Sequence, residues 1–268
     1  MTKLLIVNAD DFGLCKEISE GIIKAFSDGI VKSTSVVANG RYFKEAIPFL
    51  RDSGIDVGIH LTLTGSEKPV SNGINGLVDK HGFFLKSYKY VVPRILLGHF
   101  DQEGLEQELS SQISLLLENK INITHIDSHQ HLHLLPPIRD TVIKLAMKFK
   151  IKWIRVPQTK GFDLKMFVMN KLSTSLKIKL NEHGINSTDR FSGFEHGGHM
   201  NEPTLLKILG HLKDNCVTEL MVHPGYDASS YYDWGYAWED ELTALTSYAI
   251  KEFIKTNKII LTSFREIK

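Results

Sequence analysis

The segment Thr124–Pro136 reads THIDSHQHLHLLP and sets His125, Asp127, His129, His131 and His133 at alternate positions. Imidazole and carboxylate are the side chains that bind divalent metals and move protons near neutral pH. Such a cluster suits a metal site, a proton-handling site or a solvated polar strand end. Along a strand, residues two apart are separated by about 6–7 Å, and five of them span roughly 20 Å or more. They cannot all hold one ion. One or two could be ligands, while the others line a groove or support the ligands.

Further residues of the same chemistry follow other apolar runs. Asn8-Ala9-Asp10-Asp11 follows LLIV, and His60 lies within DVGIHLTL. Arg155 follows KWI, and His223-Pro224-Gly225 follows ELMV. In α/β architectures, functional groups gather at the C-terminal ends of the strands. A mixed His/Asp set with an open position is what a catalytic divalent metal requires. Each piece alone also has a plainer reading. Asp10-Asp11 could cap a helix over Leu14–Ser27, His60 could be a satisfied core histidine, and His223-Pro224-Gly225 could be a turn.

The elements that must position these residues are short apolar runs alternating with segments of helical period. Strands are predicted at Lys3–Val7, Ser33–Ala38, Asp56–Leu63, Ile123–Ile126 and running into the histidine segment, Lys152–Val156, Glu219–Val222 and Ile259–Thr262. Helices are predicted at Lys16–Ser27, Phe43–Leu50, Glu103–Glu118, Pro137–Phe149, Leu164–Leu180, Leu205–Leu212 and Glu239–Phe253. A glycine-rich loop over Thr64–His81 is long enough to cover a site. Six or seven strand–helix alternations favour a parallel sheet with helical crossovers. The expected fold is a single α/β domain over residues 1–268, a (β/α) barrel of irregular or incomplete form. A doubly wound open sheet is the alternative.

Composition narrows the partners. The 268 residues carry a formal net charge of +1, which gives no electrostatic reason to expect nucleic acid. The 42% hydrophobic content suffices for a sizeable core. Two distant cysteines, Cys15 and Cys216, read as reduced thiols. The apolar run LLIV is too short for a leader or a membrane span. A cytoplasmic protein without a membrane span is therefore expected.

Four motifs in order, NADDFG, GIHLTLT, THIDSHQHLHLLP and MVHPG, resemble the YdjC-like carbohydrate deacetylase family, which includes chitooligosaccharide and hopanoid-associated deacetylases. The resemblance runs from about residue 3 to the C-terminus and also takes in Ser33-Thr34-Ser35 and Asn39-Gly40. It implies a distorted barrel of the polysaccharide-deacetylase-like type with an Asp-His-His metal site. Carried over residue by residue, it makes Asp11, His60 and His129 the metal ligands, Asp10 the catalytic base and His223 the general acid. His125, Asp127, His131, His133 and Arg155 are left as substrate-binding or supporting residues. The implied reaction is hydrolysis of an N-acetyl group from an amino sugar or oligosaccharide. One divalent ion is implied, magnesium by the family's habit, although zinc or another divalent ion suits the ligands. A homodimer is also implied.

One position departs from the pattern. Trp238 stands three residues before Glu241-Leu242, where the family often carries Arg. The departure bears on recognition of the leaving sugar rather than on metal chemistry. The surrounding segment Tyr226–Trp238 is rich in aromatic rings that suit sugar faces, a packed loop or a dimer contact. Two other functions compete with deacetylation. Another metal-dependent hydrolase, such as a phosphoesterase, would favour two metals and a cationic clamp. A catalytically silent sugar- or metal-binding protein would bind metal without turnover.

Overall fold

A computed structural model describes residues 2–65, 67–161 and 163–267. The first half contains β1 (Lys3–Phe12), α1 (Lys16–Ser27), β2 (Ser33–Val36), α2 (Phe43–Asp52), β3 (Asp56–Leu61), α3 (Tyr88–Leu96) and α4 (Gln102–Glu118). Next come β4 (His125–Ser128), a 3-10 segment over His129–Leu134, α5 (Pro136–Phe149), β5 (Trp153–Ile154) and α6 (Leu164–Glu182). The chain ends with β6 (Arg190–Ser192), α7 (Glu202–Gly210), β7 (Cys216–Val222), α8 (Trp238–Thr246), α9 (Tyr248–Thr256) and β8 (Ile259–Thr262).

The strands form one sheet in the order β5-β4-β3-β2-β1-β7-β6, with every ladder parallel. β1 is shared along its length. Its first half, Lys3–Ile6, pairs with β8, and its second half, Asn8–Phe12, pairs with β2 on the same side. The sheet curls until its edge strand β5 meets the segment just before β6 at one isolated bridge between Trp153 and Asn186. Ile154 N–H donates to Asn186 O at 3.0 Å, and Asn186 N–H donates to Lys152 O at 2.8 Å. The result is the expected distorted, incompletely closed (β/α) barrel.

Strand periodicity sorts side chains into two sets. Leu5, Val7 and Ala9 of β1, with Ile59, Ile126, Ile154, Leu220 and Val222, join the large core beneath the helices. That core explains why these strands read as apolar runs. The other set faces the barrel interior. At its floor Ile6, Trp153 and Phe264 form a separate apolar plug. Above it, the inward positions are polar on strand after strand: Asn8 and Asp10, Ser35, His60, His125 and Asp127, Arg155, and Glu219.

Several elements differ from the sequence reading. The histidine segment is a strand only as far as Ser128, because Gln130 and His131 take left-handed backbone (φ 55° and 56°) and turn the chain. Glu239–Phe253 is not one helix. Ser247 at ψ 137° breaks it, and the Ser247 hydroxyl accepts Ala249 N–H to restart it as α9. α3 and β6 had no counterpart in the reading. α3 contains Pro93, and β6 is only three residues long.

Candidate active site

The floor of the cleft is built from the bulged end of β1. Register with β2 shifts between Ala9 and Phe12, and Asp11 adopts φ 72°. In a regular strand Asp10 and Asp11 would face opposite sides of the sheet. The irregularity lets both line one cleft of about 1320 Å³. Both are nearly fully buried.

Asp11 lies among two imidazoles. Its Oδ1 is 3.1 Å from His129 Nδ1 and 3.5 Å from His60 Nε2. Asp11, His60 and His129 each offer one ligand atom within 4.8 Å of the others. They arrive from three places: the β1 bulge, strand β3 and the turn after β4. His60 Nδ1 is 2.7 Å from Asp127 Oδ1. An ionised carboxylate only accepts, so Nδ1 donates to Asp127, and a cation bound beside Asp11 would take the place of the proton on Nε2. A carboxylate behind a ligating histidine is the usual support of a metal site. Burial opposes a charge on His60, but the carboxylates of Asp127, Asp10 and Asp11 outweigh it and lift its pKa to about 9. Burial likewise opposes charge on Asp11, yet His129, His60 and His223 hold its carboxyl well below the usual range. The pocket favours a cation, and its donor set fits one divalent ion with open positions.

Asp10, His60 and Asp127 also lie close enough to form a second such group. That group already has its cation. Arg155 donates from Nη1 to Asp10 Oδ2 at 2.6 Å and from Nη2 to Asp10 Oδ1 at 2.7 Å. Its Nη2 also meets Asp127 Oδ2 at 2.7 Å, and its Nε donates to Glu219 Oε1 at 2.6 Å. Asn8 Nδ2 donates to Asp10 Oδ1 at 2.8 Å, and Ser35 Oγ donates to Asp127 Oδ2 at 2.7 Å. Arg155 is fully buried and works beneath the cleft rather than on a ligand. Burial lifts Glu219 to about 7 against the pull of Arg155.

The remaining histidines divide. His125 lies under the cleft, stacked on Phe264 at 4.0 Å, with Nε2 3.1 Å from both Asn8 Oδ1 and Ser35 Oγ. His133 is fully buried; its Nδ1 meets Ser128 Oγ at 2.6 Å and its Nε2 donates to Arg155 O at 3.0 Å. Burial depresses each ring to about 4, so both are neutral. His131 lines the cleft, packed on Phe191 and Phe194, and burial keeps it well below its ordinary value. His223, at the end of β7, also lines the cleft. Its backbone N–H donates to Glu241 Oε2 at 2.5 Å, and Glu241 Oε1 accepts Met200 N–H at 3.0 Å.

Sequence reasoning missed the supports: Asn8, Ser35, Glu219 and Glu241. Glu219 and Glu241 did leave a signal, since an acidic residue inside an apolar run must be paired when buried. The aromatic segment forms one wall of the cleft. Trp234 covers His129 at 5.2 Å between centroids, and Tyr236 stands against His223 at 5.2 Å. Trp238 is buried behind them, 6.3 Å from Trp234 and 5.6 Å from Tyr236. On the same wall Tyr232 donates to Glu67 Oε1 at 2.8 Å, and Arg41 lies over the Tyr231 ring. Glu67 and Lys86, from the long connection between β3 and α3, line the cleft, as Thr64–His81 was expected to do in part.

Comparison with known proteins finds chains of similar sequence and fold. The model of the YdjC-like protein family matches residues 4–256. A carbohydrate deacetylase of Brevibacillus brevis is 31% identical over 267 residues, which is 98% of this chain and 99% of that one. A carbohydrate deacetylase of Clostridium beijerinckii is 32% identical over 270 residues, again 98% and 99% of the two chains. Among solved structures, a proposed cellobiose-phosphate cleavage protein of Enterococcus faecalis superposes with TM-score 0.80 at 25% identity, over 99% of this chain and 98% of that one. A lactam utilization protein of Thermus thermophilus has a similar fold, with TM-score 0.51 at 11% identity over 98% of this chain and 100% of that one.

Proposed function

Since the chain belongs to the YdjC-like family, we propose that it is a metal-dependent carbohydrate deacetylase that removes the N-acetyl group of an amino sugar, with residues 1–268 as one catalytic domain. The observation that carries this reading is the meeting of Asp11, His60 and His129 at the cleft floor, beside Asp10 and His223. The names of the similar bacterial proteins support the same chemistry.

Asp11, His60 and His129 would hold a divalent ion, magnesium as our first assignment, which would supply polarisation of the amide carbonyl and a more acidic water. Asp10 takes the proton of the attacking water. Its carboxylate is fixed by three donors from Arg155 and Asn8, so its orientation costs no rearrangement during reaction. Water adds to the carbonyl carbon, the C–N bond breaks, and the nitrogen takes a proton from His223. The products are acetate and a free amino sugar. Trp234, Tyr232 and Tyr236 offer ring faces to the sugar.

A phosphoesterase is the weaker reading. Two-metal chemistry needs a second cation site about 3.5–4 Å from the first. The candidate second carboxylate group is already neutralised by Arg155. The deciding experiment is acetate release from a panel of N-acetylated sugars, with chelator and with added magnesium, manganese or zinc. Acetate from one sugar class, lost with chelator and restored by metal, is expected. Phosphate release from sugar phosphates without any acetate release would favour the alternative.

A further inference from the structure

The proposed ion would carry part of the charge on the reacting oxygen, but the described residues of the cleft floor offer no hydrogen-bond donor to share it. A tetrahedral intermediate carries a negative oxygen, and the reaction gains most from a hydrogen-bond donor already aimed at it. Arg155 is committed to Asp10, Asp127 and Glu219. His223 owes its proton to the departing amine. Asp10 and Asp11 repel an oxyanion.

On the cleft wall, the half-buried ring of Tyr236 is held by its neighbours. It stands edge-on to His223 at 5.2 Å and 65°, between Trp234 at 5.5 Å and Trp238 at 5.6 Å. Its remaining edge lies on the backbone of Gly198, where φ is +80° and a Cβ would fall 2.3 Å from Tyr236 Cδ1. Glycine serves both needs there, the left-handed backbone and the close approach. The Tyr236 hydroxyl, however, has no hydrogen-bond partner among the described residues, whereas the neighbouring Tyr232 hydroxyl is bound to Glu67 and Leu14. Tyr236 lines the same cleft as Asp10, Asp11 and His223.

Resting on the deacetylase reading, we propose that Tyr236 is a further catalytic residue whose phenol donates a hydrogen bond to the developing oxyanion of the acetyl group. No proton is transferred; the O–H remains with Tyr236 while the carbonyl oxygen gains and then loses its charge. Burial and the nearby carboxylates of Asp11, Glu241 and Asp10 push the phenol upward from its ordinary pKa, so it stays a donor across the working pH range.

The test is Tyr236→Phe, which keeps the packed ring and removes only the donor, with Tyr248→Phe on the exposed face of α9 as control. Two readouts are compared with wild type: steady-state acetate release, and calorimetric binding of methylphosphonate, a tetrahedral oxyanion probe. Loss of one oxyanion donor is expected to lower kcat roughly 10²–10³-fold, with KM, metal content and melting temperature unchanged. Methylphosphonate affinity is expected to fall in parallel, and Tyr248→Phe to match wild type. If wild type releases no acetate yet binds the probe through Tyr236, the deacetylase reading fails while the donor stands. Probe binding that is absent in wild type or unchanged in Tyr236→Phe, or an unchanged kcat, overturns the proposal.

Discussion

Arg155 grips Asp10 with both terminal nitrogens, at 2.6 and 2.7 Å, beneath the cleft floor, where Arg155 is wholly buried and Asp10 almost so. The same guanidinium holds Asp127, which holds His60. One cation from β5's end thus orients the proposed base on β1 and, through Asp127, a proposed metal ligand on β3. Removing it would strand three buried carboxylates, Asp10, Asp127 and Glu219.

Arg155→Met is therefore expected to be costly for stability as well as for turnover. Breaking a buried ion pair by removing one partner typically costs about 3–5 kcal/mol. Urea denaturation should show a loss of that order, with activity lost even where the variant folds. A variant within about 1 kcal/mol of wild type, the range of a surface pair, would mean that the carboxylates are neutralised by other means.

Asp10 and Asp11 are adjacent, yet they should fail differently. Asp11→Asn removes a proposed ligand charge and should abolish the rise in melting temperature produced by divalent cation. At a cation concentration of 100 Kd that rise corresponds to about 2.7 kcal/mol in wild type. Asp10→Asn should retain the cation-dependent rise and lose roughly 10²–10⁴-fold in kcat. Identical behaviour of the two variants in the thermal assay would remove the distinction between ligand and base.

Acid should destabilise the fold before ordinary carboxylates titrate. His125 and His133 have folded pKa values near 4 against 6.5 when free, and His131 is also depressed. Between pH 6.5 and about 4 the unfolded chain binds protons on these rings that the folded chain does not. Stability is then complete above pH 6.5 and falls as pH drops toward 4. Glu219, raised from 4.5 to about 7, Glu241, also raised, and His60, raised from 6.5 to about 9, run the opposite way. Each of the two histidines with a stated value contributes on the order of 3 kcal/mol at full protonation of the unfolded chain. His60 is already largely protonated in the fold at pH 7 and changes little below it, so the three depressed histidines should prevail over the two glutamates and His60, and the urea midpoint should be lower at pH 4.5 than at pH 7. An equal or higher midpoint at pH 4.5 would show that the buried rings accept protons in the fold.

Much of this site was legible because its residues break the pattern of their strands. Asp10, Asp11, His60, His129 and His223 each stand at or near the end of an apolar run, and the fold gathers all five on one cleft. Alternation identified His125 and Asp127 as one strand face, but it did not reveal the turn. His129, His131 and His133 continue the same spacing after the strand has ended, since left-handed backbone at Gln130 leaves no mark in the hydropathy. Arg155 was visible as a charge after KWI, though not that it lies beneath the cleft. Burial depends on which residues stand opposite, and Glu219 lies 64 positions away. α3 was obscured by Pro93 and by its charged Lys89 and Arg94, and β6 was too short to show a period.

Gly21 links the first helix to the proposed acid. It is buried in α1 against Gly225, the second residue after His223, and a Cβ at Gly21 would lie 2.3 Å from Gly225 Cα. The obstruction is backbone, which cannot swing aside like the end of a side chain. Gly→Ala in a helix interior gains about 1 kcal/mol of propensity, whereas overpacking typically costs 1–3 kcal/mol and sometimes more. The clash should win, lowering the melting temperature of Gly21→Ala and displacing the turn that carries His223, with kcat falling more than metal affinity. Gly210 at the end of α7 supplies the contrast, because its nearest neighbour would be Phe253 Cζ at 4.0 Å. Gly210→Ala should therefore be neutral or slightly stabilising, with normal acetate release. If Gly21→Ala instead proves as stable and as active as Gly210→Ala, α1 does not constrain the His223 turn.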